Sequence, residues 1–161
     1  AFAAGIEAGM TDEEIIPAFL RYEASGMRQR IEKRGDITVI LDCYNASPTS
    51  MESSLSVLGG MKCSGRKCAV LGDMLELGEM SAQLHAGVAE YITKNADCAF
   101  LYGAEMANCR EALERSGFEV HHSTDKAALT AELLSWLRPG DIALFKGSRG
   151  MRMEEIAEKV K

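Results

Sequence analysis

The 161-residue sequence predicts an α/β fold, a mostly parallel sheet with helices on both faces. Two observations carry this. Short apolar, strand-like runs at 37–42, 66–72, 98–102, 118–121 and 141–146 alternate with longer segments whose apolar residues recur at helical spacing. Strands separated in this way need helical crossovers, hence parallel pairing with helices laid against the sheet. Composition agrees. With 47% apolar residues, 26% charged and only 3 Pro, the chain is ordinary and globular, of a length suited to one unit of roughly 100–200 residues.

The chain opens Ala1-Phe2-Ala3-Ala4-Gly5-Ile6, without an initiator Met and already helical in character, so a piece of a longer protein is expected. Thr11 and Glu14 have capping-box spacing, and Ile15, Ile16, Phe19 and Leu20 follow at helical intervals, predicting a helix over about 12–24 that Ser25-Gly26 ends. Met27 to Arg34 then alternates, with Met27, Gln29, Ile31 and Lys33 on one side and Arg28, Arg30, Glu32 and Arg34 on the other. Gly35-Asp36 makes a two-residue turn into Ile37-Thr38-Val39-Ile40-Leu41, which reads as a hairpin. Between the later strands lie apolar stripes: Met51, Leu55, Leu58 and Met61, then Met80, Leu84, Val88, Tyr91 and Ile92, then Met106 and Leu113. Leu129, Leu133 and Leu137, and finally Met153, Ile156 and Val160, continue the series. Each stripe is read as core.

Charge and cysteine usage exclude several functions. Eighteen Lys plus Arg against 24 Asp plus Glu leave a net charge of −6, which argues against nucleic-acid binding. No apolar run approaches the roughly 20 residues of a membrane span and no signal pattern opens the chain, so a cytoplasmic protein without membrane insertion is expected. The 5 cysteines include no CxxC and read as reduced, mostly buried thiols rather than disulfides or zinc ligands. His121 and His122 are adjacent and point to opposite faces of a strand, and His85 falls mid-helix, so surface or helix-packing roles are expected and no metal site. No Ser or Cys acquires a His partner from spacing.

Ligands of open α/β sheets collect at the carboxyl ends of strands, so the segments just after each strand are the ones to weigh. Asp42-Cys43-Tyr44-Asn45 closes one strand, and Ser47-Pro48 then supplies an N-cap and a Pro at the first helical position. Asp42 can accept from a ribose hydroxyl or simply satisfy backbone N–H groups of its own loop; Asn45 can donate and accept. Gly72-Asp73-Met74-Leu75-Glu76-Leu77-Gly78 places glycines around two carboxylates, suited to gripping an ammonium or to forming an ordinary acidic turn. Lys146-Gly147-Ser148-Arg149-Gly150 offers a cation leaving the last strand, glycines for close approach, Ser148 to cap a helix facing an anion, and Arg149 for a carboxylate or phosphate. A solvated basic turn is the plainer reading. The sequence contains no Gly-Lys pair and no GxG, so neither a P-loop nor a dinucleotide fingerprint is present, and phosphates must be held elsewhere.

Taken in order, Asp42-Cys43-Tyr44-Asn45-Ala46-Ser47-Pro48-Thr49-Ser50-Met51, Leu71-Gly72-Asp73-Met74-Leu75-Glu76-Leu77-Gly78 and Lys146-Gly147-Ser148-Arg149 resemble the Mur ligases of bacterial peptidoglycan synthesis. The resemblance is to the C-terminal part of the branch that joins D-Ala-D-Ala to a UDP-N-acetylmuramoyl tripeptide. It implies a Rossmann-like three-layer domain over 36–161, preceded by a helical and hairpin tail of a central ATP-binding domain over 1–35. It further implies that the tripeptide carboxylate is activated by ATP as an acyl phosphate, which the dipeptide amine attacks. ATP and Mg²⁺ are then held mainly by the central domain, and the partners are the two substrates and the protein's own N-terminal and central domains. Residue by residue, the resemblance makes Arg28, Asp42 and Asn45 nucleotide-facing, with Asp42 at the ribose, and places Lys146, Ser148 and Arg149 near the amino substrate, Arg149 as a carboxylate clamp. Asp73 and Glu76 match an acidic loop that orients the amine; none of these is a catalytic residue, and no metal ligand falls within the chain. Cys43 and Ser47 stand where the family has Ser and Asn. Other amino acid ligases of the same superfamily, or a non-catalytic α/β nucleotide-binding module, are the competing readings. Lacking a P-loop, these 161 residues on their own are expected to show weak or undetectable ATP hydrolysis, and measurable turnover in a phosphate-release assay overturns that expectation.

Overall fold

The computed structural model describes residues 2–20 and 29–161. Helices α1 (Phe2–Glu7) and α2 (Asp12–Leu20) come first. The Thr11 N–H donates to Glu14 Oε2 at 3.0 Å, one half of the anticipated capping box. The extension of α2 to residue 24, the Ser25-Gly26 stop and Arg28 lie outside the described residues. Strand β1 (Arg30–Arg34) turns into β2 (Ile37–Asp42) with Arg34 opposite Ile37, the two-residue hairpin expected. Gly35 sits there at φ +57°, where glycine carries no steric cost. Ile31 is half exposed, while Glu32 and Arg34 take the more covered side. The reason is Arg34, whose guanidinium bonds Glu32 and reaches the Ala157 carbonyl.

The alternation then runs α3 (Pro48–Gly60), β3 (Lys67–Gly72), α4 (Ser81–Asn95), β4 (Cys98–Tyr102) and α5 (Ala107–Arg115). It closes with β5 (Val120–Ser123), α6 (Lys126–Trp136), β6 (Ile142–Lys146) and the short α7 (Glu154–Ala157). Among the described residues the strands form one 6-stranded sheet in the order β1-β2-β6-β3-β4-β5. The β1–β2 pair is antiparallel and every other pair parallel. No described helix is long and apolar enough to cross a membrane.

Period-two alternation divides the strand side chains between two cores. Ile40, Ala69, Leu71, Ala99, Leu101 and Leu144 face α3, α4 and α5; Val39, Leu41, Val70, Phe100 and Phe145 face α6 and the α7 segment. Helices thus cover both faces in three layers, as anticipated. In α3 the stripe Met51, Leu55, Leu58 is fully buried, and the helix starts where the sequence placed it: Ser47 caps the Ser50 N–H, the Ser50 hydroxyl accepts from the Ser47 N–H, and Pro48 follows. Strand β5 starts two residues later than the predicted 118 because Phe118 belongs to the preceding helix cap. Its N–H bonds the Leu113 carbonyl and the Gly117 N–H the Glu114 carbonyl, a Schellman closure with Gly117 at φ +73°. The stripe predicted for α4 also shifts: Met80 is half exposed, and His85 joins Val88, Ala89 and Ile92 in the buried set.

At the amino ends of the central strands, Asp141 is 1% exposed. Its carboxylate accepts from the Arg66 N–H at 2.8 Å, Arg66 Nη2 at 2.9 Å and the Arg138 N–H at 2.8 Å, tying the start of β3 to the start of β6. Burial alone pushes this carboxyl up, but the Arg66 and Arg138 hydrogen bonds outweigh it and hold the group below its ordinary value. Asp141→Asn is therefore expected to cost about 2 kcal/mol at neutral pH. Because the folded-state value is lowered, the stabilisation is fully present above the unfolded value of 3.8 and is lost as pH falls below it. Urea titrations at a series of pH values should accordingly show wild type and variant converging in acid.

Candidate functional site

The crossover from β5 through α6 returns the chain to the middle of the sheet on the face opposite α3, α4 and α5. That reversal puts the carboxyl ends of β2, β6 and β3 side by side, with Asp42 opposite Lys146 and Lys146 opposite Leu71. A crevice at such a switch point is where open α/β sheets take ligands. The loops bearing Asp42, Asn45, Asp73, Glu76, Lys146, Ser148 and Arg149 all leave from this end.

Lys146 ends β6 and is 1% exposed. An ammonium cannot be buried unpaired, and Nζ lies 2.6 Å from Asp42 Oδ2 and donates to the Asn45 carbonyl at 3.0 Å. The same Asp42 oxygen accepts from Ser54 Oγ of α3 at 2.6 Å, while Oδ1 accepts only a longer bond, 3.3 Å, from the Gln29 N–H. Asp42 is thus not simply satisfying its own loop. Asn45 is exposed, with Oδ1 accepting from the Ala46 N–H at 2.8 Å, and Tyr44 beside it is half exposed. Cys43, where the resembling family has Ser, donates to the Phe145 carbonyl as a hydroxyl would; burial pushes its thiol up to about 12. Ser47 keeps the capping role that Asn would fill.

The second loop is held from below. Asp73 Oδ1 accepts from the Met106 N–H at 2.9 Å and Oδ2 from the Glu105 N–H at 3.3 Å, so this carboxylate anchors the start of α5. Gly103 makes room for it: at φ +118°, a Cβ there would lie 2.3 Å from Asp73 Oδ2. His85, fully buried, accepts the Met74 N–H on Nε2 at 2.9 Å and places Nδ1 2.8 Å from the Ser81 carbonyl. Only the neutral ring protonated on Nδ1 satisfies both. Glu76 is exposed with φ +66°, a left-handed conformation uncommon for a residue with a Cβ.

Ser148 joins this loop to the third. Its Oγ accepts from the Leu75 N–H at 2.8 Å and its N–H donates to the Asp73 carbonyl at 3.0 Å. It caps no helix: the residues that follow, Arg149–Met151, form a single 3₁₀ turn without a side-chain cap. The anion-facing helix start expected after Ser148 is therefore replaced by a loop-to-loop clasp. Close approach makes this possible, since a Cβ on Gly147 would fall 3.2 Å from Gly72 Cα and 2.8 Å from Met153 Cγ. Arg149 is exposed and pairs with Glu154 through Nη1. Arg28 lies outside the described residues. Sequence reasoning missed His85 as the anchor of the acidic loop, although its place three, four and seven residues before Val88, Ala89 and Ile92 puts it on the buried face of α4.

A family model described as Mur ligase, glutamate ligase domain, matches residues 28–149. The UDP-N-acetylmuramoyl-tripeptide–D-alanyl-D-alanine ligase of Bacillus subtilis is 36% identical over 163 residues, covering 98% of this chain. The enzyme of the same name from Mycobacterium leprae is 32% identical over 179 residues, again covering 98% of the chain. The chain spans about a third of these relatives, 35% and 34% of their lengths. Among solved structures, a Thermotoga maritima MurF ligase in complex with ADP superposes with a TM-score of 0.79 at 25% identity, over 97% of this chain and 35% of that one. A MurF from Acinetobacter baumannii gives a TM-score of 0.87 over 99% of this chain and 35% of that one; at 24% identity it supports the fold.

Removing one member of the buried pair leaves the other charge uncompensated. Lys146→Ala is therefore expected to destabilise the chain by about 3–5 kcal/mol in urea unfolding, whereas the apolar double replacement Asp42→Leu with Lys146→Met should recover most of that loss.

Proposed function

The chain belongs to the Mur ligase family, and from that premise we propose that it is the C-terminal domain of an ATP-dependent amide ligase that joins D-Ala-D-Ala to a UDP-N-acetylmuramoyl tripeptide. The single observation behind this reading is the convergence of the loops after β2, β3 and β6, which sets an acceptor-rich edge beside a cationic one. On this reading residues 36–161 form the domain and residues 1–35 are the trailing part of a central ATP-binding domain, which lends β1 to the sheet.

Asp42 Oδ1 carries one long hydrogen bond and retains acceptor capacity toward the strand-end crevice, which fits a ribose hydroxyl. Asn45, exposed on the same rigid loop, is placed to face the nucleotide, and Arg28 is assigned to reach it from the joint with the central domain. The sequence contains no P-loop, and ATP phosphates and Mg²⁺ are assigned to the central domain. At the other edge, Arg149 is the clamp for the dipeptide carboxylate, with Glu154 holding its guanidinium until the substrate arrives. Lys146 acts through Asp42 and Asn45, and Ser148 acts through Leu75; both are positioning residues. Asp73 shapes the acidic loop, and Glu76, projecting from its left-handed turn, is assigned to the incoming ammonium. The work of such a domain is orientation and charge placement once it closes over its partner domains. A cytoplasmic location follows from the nucleotide-linked substrates.

The test uses the full-length protein. ATP-dependent phosphate release should require D-Ala-D-Ala, and replacing the dipeptide by glutamate, lysine or alanine should abolish it. Arg149→Ala is expected to raise KM for D-Ala-D-Ala by about tenfold or more, as loss of a charge-assisted hydrogen bond requires, with KM for ATP unchanged. Release driven equally well by another amino acid assigns the chain to a different ligase of the superfamily.

A further inference from the structure

A second constellation lies at the opposite end of the sheet. Cys98 opens β4 and Glu119 immediately precedes β5, whereas the ligand loops leave the carboxyl ends of the strands. The β4–β5 register pairs Ala99 with Val120 and Phe100 with His121, so Cys98, Glu119 and His121 project on one face. One ligand atom from each, the Cys98 thiol, a Glu119 carboxylate oxygen and a His121 ring nitrogen, lie within 4.8 Å of one another. We propose that these three residues form a zinc site, with the fourth position open to water.

The donor set fits the ion. Thiolate, imidazole and carboxylate together suit Zn²⁺ and not the hard, oxygen-seeking Mg²⁺. A tetrahedral Zn²⁺ with bonds of about 2.0–2.3 Å needs ligand separations of roughly 3.3–3.8 Å. His121 Nε2 and Glu119 Oε1 already stand 3.7 Å apart, and Glu119 is exposed and can turn to bring the rest together. His121 Nε2 is buried and has no hydrogen-bond partner, the condition of a nitrogen held ready for a ligand. Its other nitrogen, Nδ1, lies 3.3 Å from Glu132 Oε2, which sets a second carboxylate beside the ring. The ring is further fixed by stacking on Phe100, centroids 4.4 Å apart at 5°. Trp136 Nε1 donates to Glu119 Oε1 at 2.6 Å, an oxygen that keeps a second lone pair for a metal.

Binding releases one proton, from the Cys98 thiol, to solvent; the resulting thiolate and the Glu119 carboxylate balance the two charges of the ion. The ion would clamp β5, which among the described residues pairs with β4 alone, to its neighbour.

Cobalt titration reads the site directly, because a Co²⁺–thiolate bond absorbs in the near ultraviolet and Zn²⁺ displaces it. The reduced 161-residue chain should show one saturable cobalt equivalent carrying that band. The band should vanish in Cys98→Ser, and affinity should weaken by about tenfold or more in His121→Asn and Glu119→Gln, as ligand loss demands. Cys63→Ser, which removes the more accessible thiol, should change nothing. No saturable band, a band that survives Cys98→Ser, or a band lost in Cys63→Ser overturns the proposal. Should Cys98→Ser lose its native circular dichroism, the half-buried His121→Asn carries the test, and undiminished cobalt affinity there overturns the site by itself.

Discussion

An ammonium buried at the end of a central strand must be answered by a carboxylate, and the candidate site is organised around that requirement. Lys146 sits where β6 is covered on both faces, so water cannot solvate it, and Asp42 is its direct register partner on β2. The pair then propagates. The Asn45 carbonyl, taken by the same ammonium, fixes the turn after β2; that turn delivers Ser47 as the cap of α3; and Ser54, in the second turn of α3, returns to Asp42. Strand, loop and helix close a ring through one carboxylate oxygen, Asp42 Oδ2, and the Lys146 nitrogen. The exposed Tyr44 and Asn45 side chains are therefore presented by a loop whose backbone has little freedom to rearrange, which lowers the ordering cost of any ligand they meet.

The acidic loop reaches the same end by different means. Here no ion pair is at the centre. Asp73 spends its carboxylate on two backbone N–H groups of the segment leading into α5, His85 takes the Met74 N–H, and Ser148 takes the Leu75 N–H. Three consecutive residues are thus held from three different elements. What remains unconstrained is Glu76, whose left-handed backbone carries a strain that the anchored residues before it sustain. A carboxylate projecting from a strained turn, beside a loop with an exposed arginine, is suited to meet a zwitterionic substrate, one end each.

How much of this could be read beforehand depended on the range of the interaction. The α3 start was legible because cap, proline and apolar stripe lie within a few residues of one another, and the parallel sheet because each strand is a continuous apolar run. The Asp42–Lys146 pair was not, since the residues are 104 positions apart and only sheet order brings them into register. Ser148 was misjudged for the same reason: a serine after a strand and before a helical stripe has the local pattern of a cap, and its true partner, Leu75, comes from another crossover. The β5 start moved because Phe118 looks like a strand residue in sequence but completes the closure of α5. The sequence supports surface or helix-packing roles for His85 and His121 and nothing finer; their polar surroundings, the Met74 N–H in one case and a cross-strand trio in the other, exist only once the chain is folded.

The two ends of the sheet divide the labour. At the amino ends, Asp141 binds Arg66 and Arg138, and Arg66 lies over the Trp136 ring with its guanidinium carbon 3.4 Å from the centroid, linking β3, β6 and α6. At the carboxyl ends, almost every buried polar group is committed to a neighbouring loop. Such an arrangement suits the closure proposed for this domain, because the loops arrive already ordered. Had the loops been soft, closure would need to order them against ligand at each turnover, and binding energy would be spent on folding instead of orientation. The rigidity of Asp42 and Lys146, remote from any reacting bond, is on this view a condition of the chemistry, because an arginine or carboxylate misplaced by a fraction of a bond length positions nothing.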